Sequence, residues 1–249
     1  MKLKREAAKR RKPNKEISVA KSSTGDYLRD GWTIERELKT KNRIRKPWTH
    51  DERLENRVWH LFYLLGYPEI SGGRNFQITI KRRGADTYTK QIDVLAKDEE
   101  TVVVAECKSS ERTARRSLQK DIGEFADLKG PISAAIRKHY GPDFKPKIIW
   151  MFFTNNIIWS QPDRQRAQGA NVRIVNERDL AYYVQIADHL RSAARFQFLA
   201  EFLGNQKIPE MEDVCVPAVR GKIGGRTFFS FVSTPRQMLK ISFVNHPVT

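Results

Sequence analysis

The stretch that decides the fold is Gln91-Ile92-Asp93-Val94-Leu95-Ala96-Lys97-Asp98-Glu99-Glu100-Thr101-Val102-Val103-Val104-Ala105-Glu106-Cys107-Lys108. Two apolar runs flank a polar turn, the pattern of an antiparallel hairpin. With the turn at Glu99-Glu100, Asp93 falls opposite Glu106, Gln91 opposite Lys108 and Leu95 opposite Val104. Side chains alternate along a strand, so these residues share one face. The other face collects Ile92, Val94, Ala96, Val103, Ala105 and Cys107, is wholly apolar and must be buried. Two acids therefore meet in an otherwise apolar hairpin, with Cβ atoms about 5 Å apart.

Carboxylates so placed repel each other, more strongly when partly buried. Either one of them is protonated or a cation sits between them. A hard divalent ion such as Mg²⁺ takes oxygen ligands and is held by one or two carboxylates. Lys108 shares the face, two residues beyond Glu106. Its ammonium can hold a hydroxide or neutralise charge developing on phosphorus. The bland alternative is a Glu106–Lys108 ion pair at a strand end. A second Glu-x-Lys, Glu37-Leu38-Lys39, lies in a charged stretch with neither an apolar strand nor a facing acid.

Outward from the hairpin the chain alternates helix and strand. Thr49 can cap a helix, with Glu52 three residues on; Leu54, Val58, Leu61 and Leu65 follow at helical spacing and Gly66 ends it. Glu55 sits at the edge of that stripe beside Trp59 and Phe62, facing either the sheet or solvent. Strands are expected at 75–82, 88–97 and 101–108, and helices at 112–128 and Ile132–Lys138. Lys147–Thr154 reads as a buried strand. A helix near 161–168, a strand at 171–175 and a helix near 177–203 follow. The fold class is α/β, a mixed central sheet flanked by helices. After Gly204 short alternating stretches with Gly-Gly and Pro breaks predict a β-rich segment, and Gly221–Arg226 reads as a hairpin turn.

The chain of 249 residues carries a formal charge of +17, and residues 1–50 hold 16 Lys/Arg against 6 Asp/Glu. The expected organisation is a disordered basic arm at 1–25, a basic segment at 26–48 packing on the core, the main domain at 49–205 and the β-rich segment at 206–249. The charge points to a polyanion, most simply DNA, with RNA as the other choice. Arg112, Arg115, Arg116 and Lys120 follow Lys108 and either meet flanking phosphates or form a solvated helix face. No apolar run reaches the roughly 18 residues that span a membrane, and the basic start lacks the apolar core of a secretory signal. Two cysteines, Cys107 and Cys215, make no disulfide scaffold and suit a reduced, cytoplasmic setting. The five histidines lack zinc-site spacing.

Glu55 eleven residues before Gly66-Tyr67, then Gln91-Ile92-Asp93, then Glu106-Cys107-Lys108, together resemble the PD-(D/E)XK nuclease superfamily on its Mrr-like, restriction endonuclease side. The resemblance covers roughly residues 50–185 and implies a restriction endonuclease-like core. By resemblance, Asp93 and Glu106 bind Mg²⁺ (Mn²⁺ as a substitute), Lys108 assists the attacking water, Glu55 completes the acidic site as a third ligand, and Gln91 is an accessory polar residue. The family's proline before the acid is absent.

The tail, Val216–Val219 through Gly224–Phe229 and Pro235–Ser242, is similar to the start of DGQHR-type domains tied to DNA phosphorothioation, although that motif itself is missing. A stretch of about 35 residues cannot bury such a module's faces, so it reads as a truncated module or an edge docking on the body. The expectation is a Mg²⁺-dependent DNA endonuclease, leaving 3′-hydroxyl and 5′-phosphate ends, in restriction or phage defence. A homodimer would suit double-strand cleavage. The alternative is a non-catalytic DNA-sensing module; an RNA-processing nuclease is a third reading.

Overall fold

The residues expected to form a disordered arm have regular structure. Lys2–Arg10 is a helix (α1) and Asn14–Ala20 a strand (β1). Charge density alone hides the reason. Ala7 and Arg10, one turn apart, are both buried. Arg10 Nη1 donates to Asn56 Oδ1 at 3.0 Å, and the guanidinium lies 4.9 Å from the centre of the Trp59 ring. An arginine is readily buried where a fork partner and an aromatic face await it. A 3₁₀ turn at Lys21–Ser23, a short helix (α2, Thr24–Arg29) and two strands (β2, Thr33–Glu37; β3, Lys41–Pro47) follow. The strands form an antiparallel sheet in the order β1-β3-β2, with Ile44 registered on Ile17 and Ile34. Residues 26–48 thus share one small sheet with the supposed arm.

The computed structural model describes residues 2–71, 77–81, 87–195, 198–199, 221–223, 226–230 and 242–244. The chain divides into two compact units, 1–184 and 185–249. The expected boundary after residue 205 and most of the DGQHR-like text, including Val216–Val219 and Pro235–Ile241, lie outside the described residues.

Helix α3 (His50–Leu64) begins with the predicted box. Thr49 Oγ1 accepts the Glu52 N–H, and Glu52 Oε2 accepts the Thr49 N–H. It stops at Gly66, whose φ of 76° is cheap only without a side chain. The remaining elements of the body are β4 (Glu69–Ile70), β5 (Gln77–Lys81), β6 (Thr87–Gln91), β7 (Val94–Lys97), β8 (Thr101–Arg115), α4 (Gln119–Asp127), α5 (Lys129–Tyr140), β9 (Lys147–Ile158), α6 (Gln161–Gly169), β10 (Arg173–Val175) and α7 (Glu177–Leu190). The central sheet runs β10-β9-β8-β7-β4; β10, β9 and β8 are parallel, while β7 and β4 are antiparallel to their neighbours. This is the predicted mixed sheet.

Both faces of the sheet are covered. Leu95, Val102, Val104, Trp150 and Phe152 pack with Ile122 and Phe125 of α4 and Ile132 and Ile136 of α5. On the opposite face Phe62 of α3 meets Phe153 edge-on at 6.1 Å. That burial on both sides explains the near-continuous apolar runs of β8 and β9. In the second unit β11 (Gly221–Ile223), β12 (Arg226–Ser230) and β13 (Ser242–Val244) form an antiparallel sheet, with Ile223 registered on Arg226 as the hairpin reading required.

Three expectations fail locally, the first being the helix expected near 177–203, which ends at Leu190 with Arg191 at φ 55°. The strand expected over 88–97 breaks at Ile92-Asp93, and β6 pairs with β5 instead of continuing along β8. The alternation also changes phase there, because Ile92 joins the cluster containing Leu95 and Val104. The helix expected over 112–128 starts only at Gln119, since β8 runs on beside β9 through a bulge to Ala114↔Ile157 and Arg115↔Ile158. Asn156, at φ 56°, donates its side-chain N–H to the Ser110 carbonyl at 3.1 Å and so supports the bulge. A partner strand outweighs the helix propensity of an arginine-rich stretch with no apolar stripe.

Replacing Arg10 with alanine should lower stability by about 2 kcal/mol, from a lost charged hydrogen bond and ring contact. Urea denaturation checks the size, and limited trypsinolysis should then cut first within 2–12. An unchanged midpoint would mean that α1 is not anchored through Arg10.

Candidate active site

The hairpin register is the predicted one: Val94↔Ala105, Leu95↔Val104, Ala96↔Val103 and Lys97↔Val102. Beyond Val94 the ladder ends on a side chain. Asp93 Oδ2 accepts the backbone N–H of Cys107 at 2.8 Å, one residue past Glu106. Glu106 is 9% exposed and Lys108 is half-buried beside it. Lys108 Nζ lies 3.2 Å from Glu106 Oε1 and 3.5 Å from Asp121 Oδ1.

The electrostatics follow from this crowding. Burial first, then the neighbouring Glu106 charge, pushes the Asp93 carboxyl up from its ordinary 3.8 to about 7; the Cys107 N–H pulls the other way, Glu55 adds to the rise and Lys108 opposes it. Burial works to lower the Lys108 ammonium, but Glu106, Asp121 and Asp93 outweigh it and the net shift is upward. Lys108 is therefore an ammonium at neutral pH. The Cys107 thiol is pushed well up by burial and by the three acids. It is a core thiol rather than a nucleophile.

Asp93, Glu106 and Lys108 thus come together, with the buried Glu55 of α3 acting on the same charge. Gln91 does not join them. It ends β6, registered on Gln77 of β5, and is exposed, because the chain turns away at Ile92-Asp93. Arg112 and Arg115 lie exposed on the far end of β8, not on a helix. Arg116 Nη2 sits 3.4 Å from Asp121 Oδ2, and Lys120 Nζ is 3.8 Å from Glu124 Oε1 on α4.

Mg²⁺ keeps several waters and needs only one or two protein carboxylates, with phosphate oxygens completing its shell. Asp93 and Glu106 match that donor chemistry, and the raised Asp93 carboxyl is the cost a bound cation would remove. Among the described residues, however, no three Asp, Glu, His or Cys side chains gather as an ion-holding group. Glu55 is buried on α3, and its charge adds to the rise of the Asp93 carboxyl.

Four further side chains escaped the sequence reading. Asp121 shares Lys108 with Glu106. It stands three residues after Leu118 and four before Phe125, at the edge of an apolar stripe, as Glu55 does on α3. Ser109 Oγ donates to Asp51 Oδ1 at 2.6 Å and lies 2.6 Å from His50 Nδ1. With the serine proton committed, His50 donates from Nδ1. These bonds tie the strand just past Lys108 to the first turn of the helix that bears Glu55.

Among known proteins, no family model and no curated sequence matches the chain. Solved structures are similar over part of the fold. A protein of unknown function, AF1548, shares 17% identity over 53% of this chain and 63% of its own, with a TM-score of 0.37. VC1899 from Vibrio cholerae shares 14% over 78% and 51%, at 0.39. Can2 from Sulfobacillus thermosulfidooxidans, solved with cyclic tetra-adenylate, shares 16% over 76% and 50%, at 0.35. The chain spans about half to two thirds of the length of these structures. Among the described residues no helix is long and apolar enough to cross a membrane.

A carboxyl raised in the folded state carries a pH signature. Below its ordinary 3.8 Asp93 is protonated whether folded or not; as pH climbs through about 7 the folded chain must ionise it at a cost. The melting temperature of Asp93→Asn relative to the parent should therefore rise by a few degrees between pH 5 and pH 8. Mg²⁺ should raise the parent's melting temperature at pH 8 but not the variant's. Parallel curves across that range would remove the coupling.

Proposed function

We propose that the chain is a Mg²⁺-dependent phosphodiesterase that cleaves DNA internally. The observation that carries the reading is the Asp93 and Glu106 carboxylates brought together at the end of a β-hairpin beside the Lys108 ammonium. Asp93 and Glu106 would hold the ion. Bound Mg²⁺ would supply Lewis-acid polarisation of the phosphate and a more acidic water. Lys108 stays charged, so it takes no proton from water; it sets N–H donors and positive charge beside the scissile phosphate, where negative charge builds up in the transition state. Asp121 keeps that ammonium from collapsing wholly onto Glu106. The exposed Arg112 and Arg115 on the outer part of β8 would meet flanking phosphates. The net charge of +17 favours a polynucleotide over a small phosphodiester.

The net charge of +17 serves a second reading as well, a non-catalytic DNA-binding module. Incubation with supercoiled plasmid separates the two. The enzyme reading expects Mg²⁺-dependent loss of the supercoiled form, abolished by EDTA and slowed about 100-fold or more in Glu106→Ala and Lys108→Ala. Retarded migration without cleavage supports the binder, and faster loss of RNA than of DNA shifts the substrate class.

A further inference from the structure

A cavity of about 470 Å³ opens between α1 and the β1-β3-β2 sheet, and it shares no residue with the acidic site. Arg5 and Lys9, one turn apart on α1, and Lys12 in the turn that follows the helix form one wall; Arg43 of β3 stands on the other and Ile17 contributes apolar surface. Glu16 is the only acid in the lining. Its Oε2 lies 2.6 Å from Lys12 Nζ and 2.6 Å from Arg43 Nη2, so one carboxylate joins the two walls and holds both cations at the rim. This wall is not needed to dock the helix, because Ala7 and Arg10 on another side of α1 do that. Arg5 and Lys9 are exposed. The charge continues along the same face of β3, where Lys41 and Arg45 stand two residues either side of Arg43, all exposed.

The lining contains cations and small apolar surface but no aromatic ring on which a base could stack. Four cations outnumber the carboxylates that meet them, Glu16 and, 3.2 Å from Arg43 Nε, Glu35, so the groove recognises phosphate charge and carries no base-reading geometry. We infer that this groove binds the phosphodiester backbone of a DNA strand, without reading its sequence, as an anchoring subsite apart from the cleavage centre. The inference rests on DNA being the partner proposed above, but not on cleavage.

The test is fluorescence anisotropy of labelled duplexes of two unrelated sequences, without Mg²⁺, over a salt series. Each phosphate contact contributes about 0.9 to the slope of log K against log salt for duplex DNA. The double variant Arg5→Ala/Lys9→Ala should flatten that slope by about 1.8 and weaken low-salt binding roughly tenfold on both sequences. The pair Lys2→Ala/Lys4→Ala removes equal charge from α1 outside the groove and should change the slope far less. Arg5→Lys/Lys9→Arg should retain parental binding. An unchanged slope in the groove variant, or equal losses in the two alanine pairs, overturns the inference. So does micromolar binding of AMP that only the groove variant loses while duplex binding stays intact, which would assign a free-nucleotide site. Failure of plasmid cleavage with the slope result intact removes only the catalytic reading, and the reverse pattern removes only the groove.

Discussion

Asp93 has to satisfy a backbone N–H and tolerate two neighbouring carboxylates, and much of the surrounding architecture answers to that demand. By accepting the Cys107 N–H, its side chain takes the place a continuing strand would fill. The ladder therefore stops at Val94↔Ala105, and the chain before it swings out to form the β5–β6 pair. The same bond brings the Asp93 charge close to Glu106, where burial and repulsion raise its proton affinity. A protonated carboxyl, an ammonium or a bound cation can each relieve such a pair. Lys108 supplies only part of that relief, because it also answers to Asp121.

The elements that converge on this point are held by polar bonds as well as by the core. Ser109 links β8 to the first turn of α3 through Asp51 and His50, which fixes the helix carrying Glu55 relative to Lys108. At a later turn α3 holds α1 through Asn56 and Trp59. The small N-terminal sheet is therefore coupled to the helix behind the acids, and Lys15 of β1 adds an ion pair with Glu52 of the α3 capping box. A basic segment that charge counting treats as a tail becomes a structured wall, and its outward cations are displayed at set spacing.

How much was legible beforehand varies with the range of the forces involved. The hairpin register could be read because its turn is polar, its arms are apolar, and a slip of one residue would expose a buried face. Thr49, Glu52 and Gly66 announced α3 because capping and left-handed backbone are local requirements. Gln91 was misplaced because a continuing strand and a kinked one share the same alternation up to Ile92. The arginines after Lys108 were misplaced because β9 offered a ladder that no local window contains. Asp121 went unnoticed because its role depends on α4 lying beside β8, a contact between segments that sequence spacing does not describe.

The amino-acid pattern by itself determined the α/β class, the pairing of the arms that carry Asp93 and Glu106, and the position of Lys108 on the same face as Glu106, since each follows from periodicity and burial within a few residues. Only the tertiary structure decided that Asp93 ends a strand instead of continuing it, that Asp121 shares Lys108 with Glu106, and that Arg10 is buried and the N-terminus is folded. Those outcomes depend on which distant backbone and aromatic surfaces come within bonding range, and the energy of burying a charge is defined only once its partners are in place.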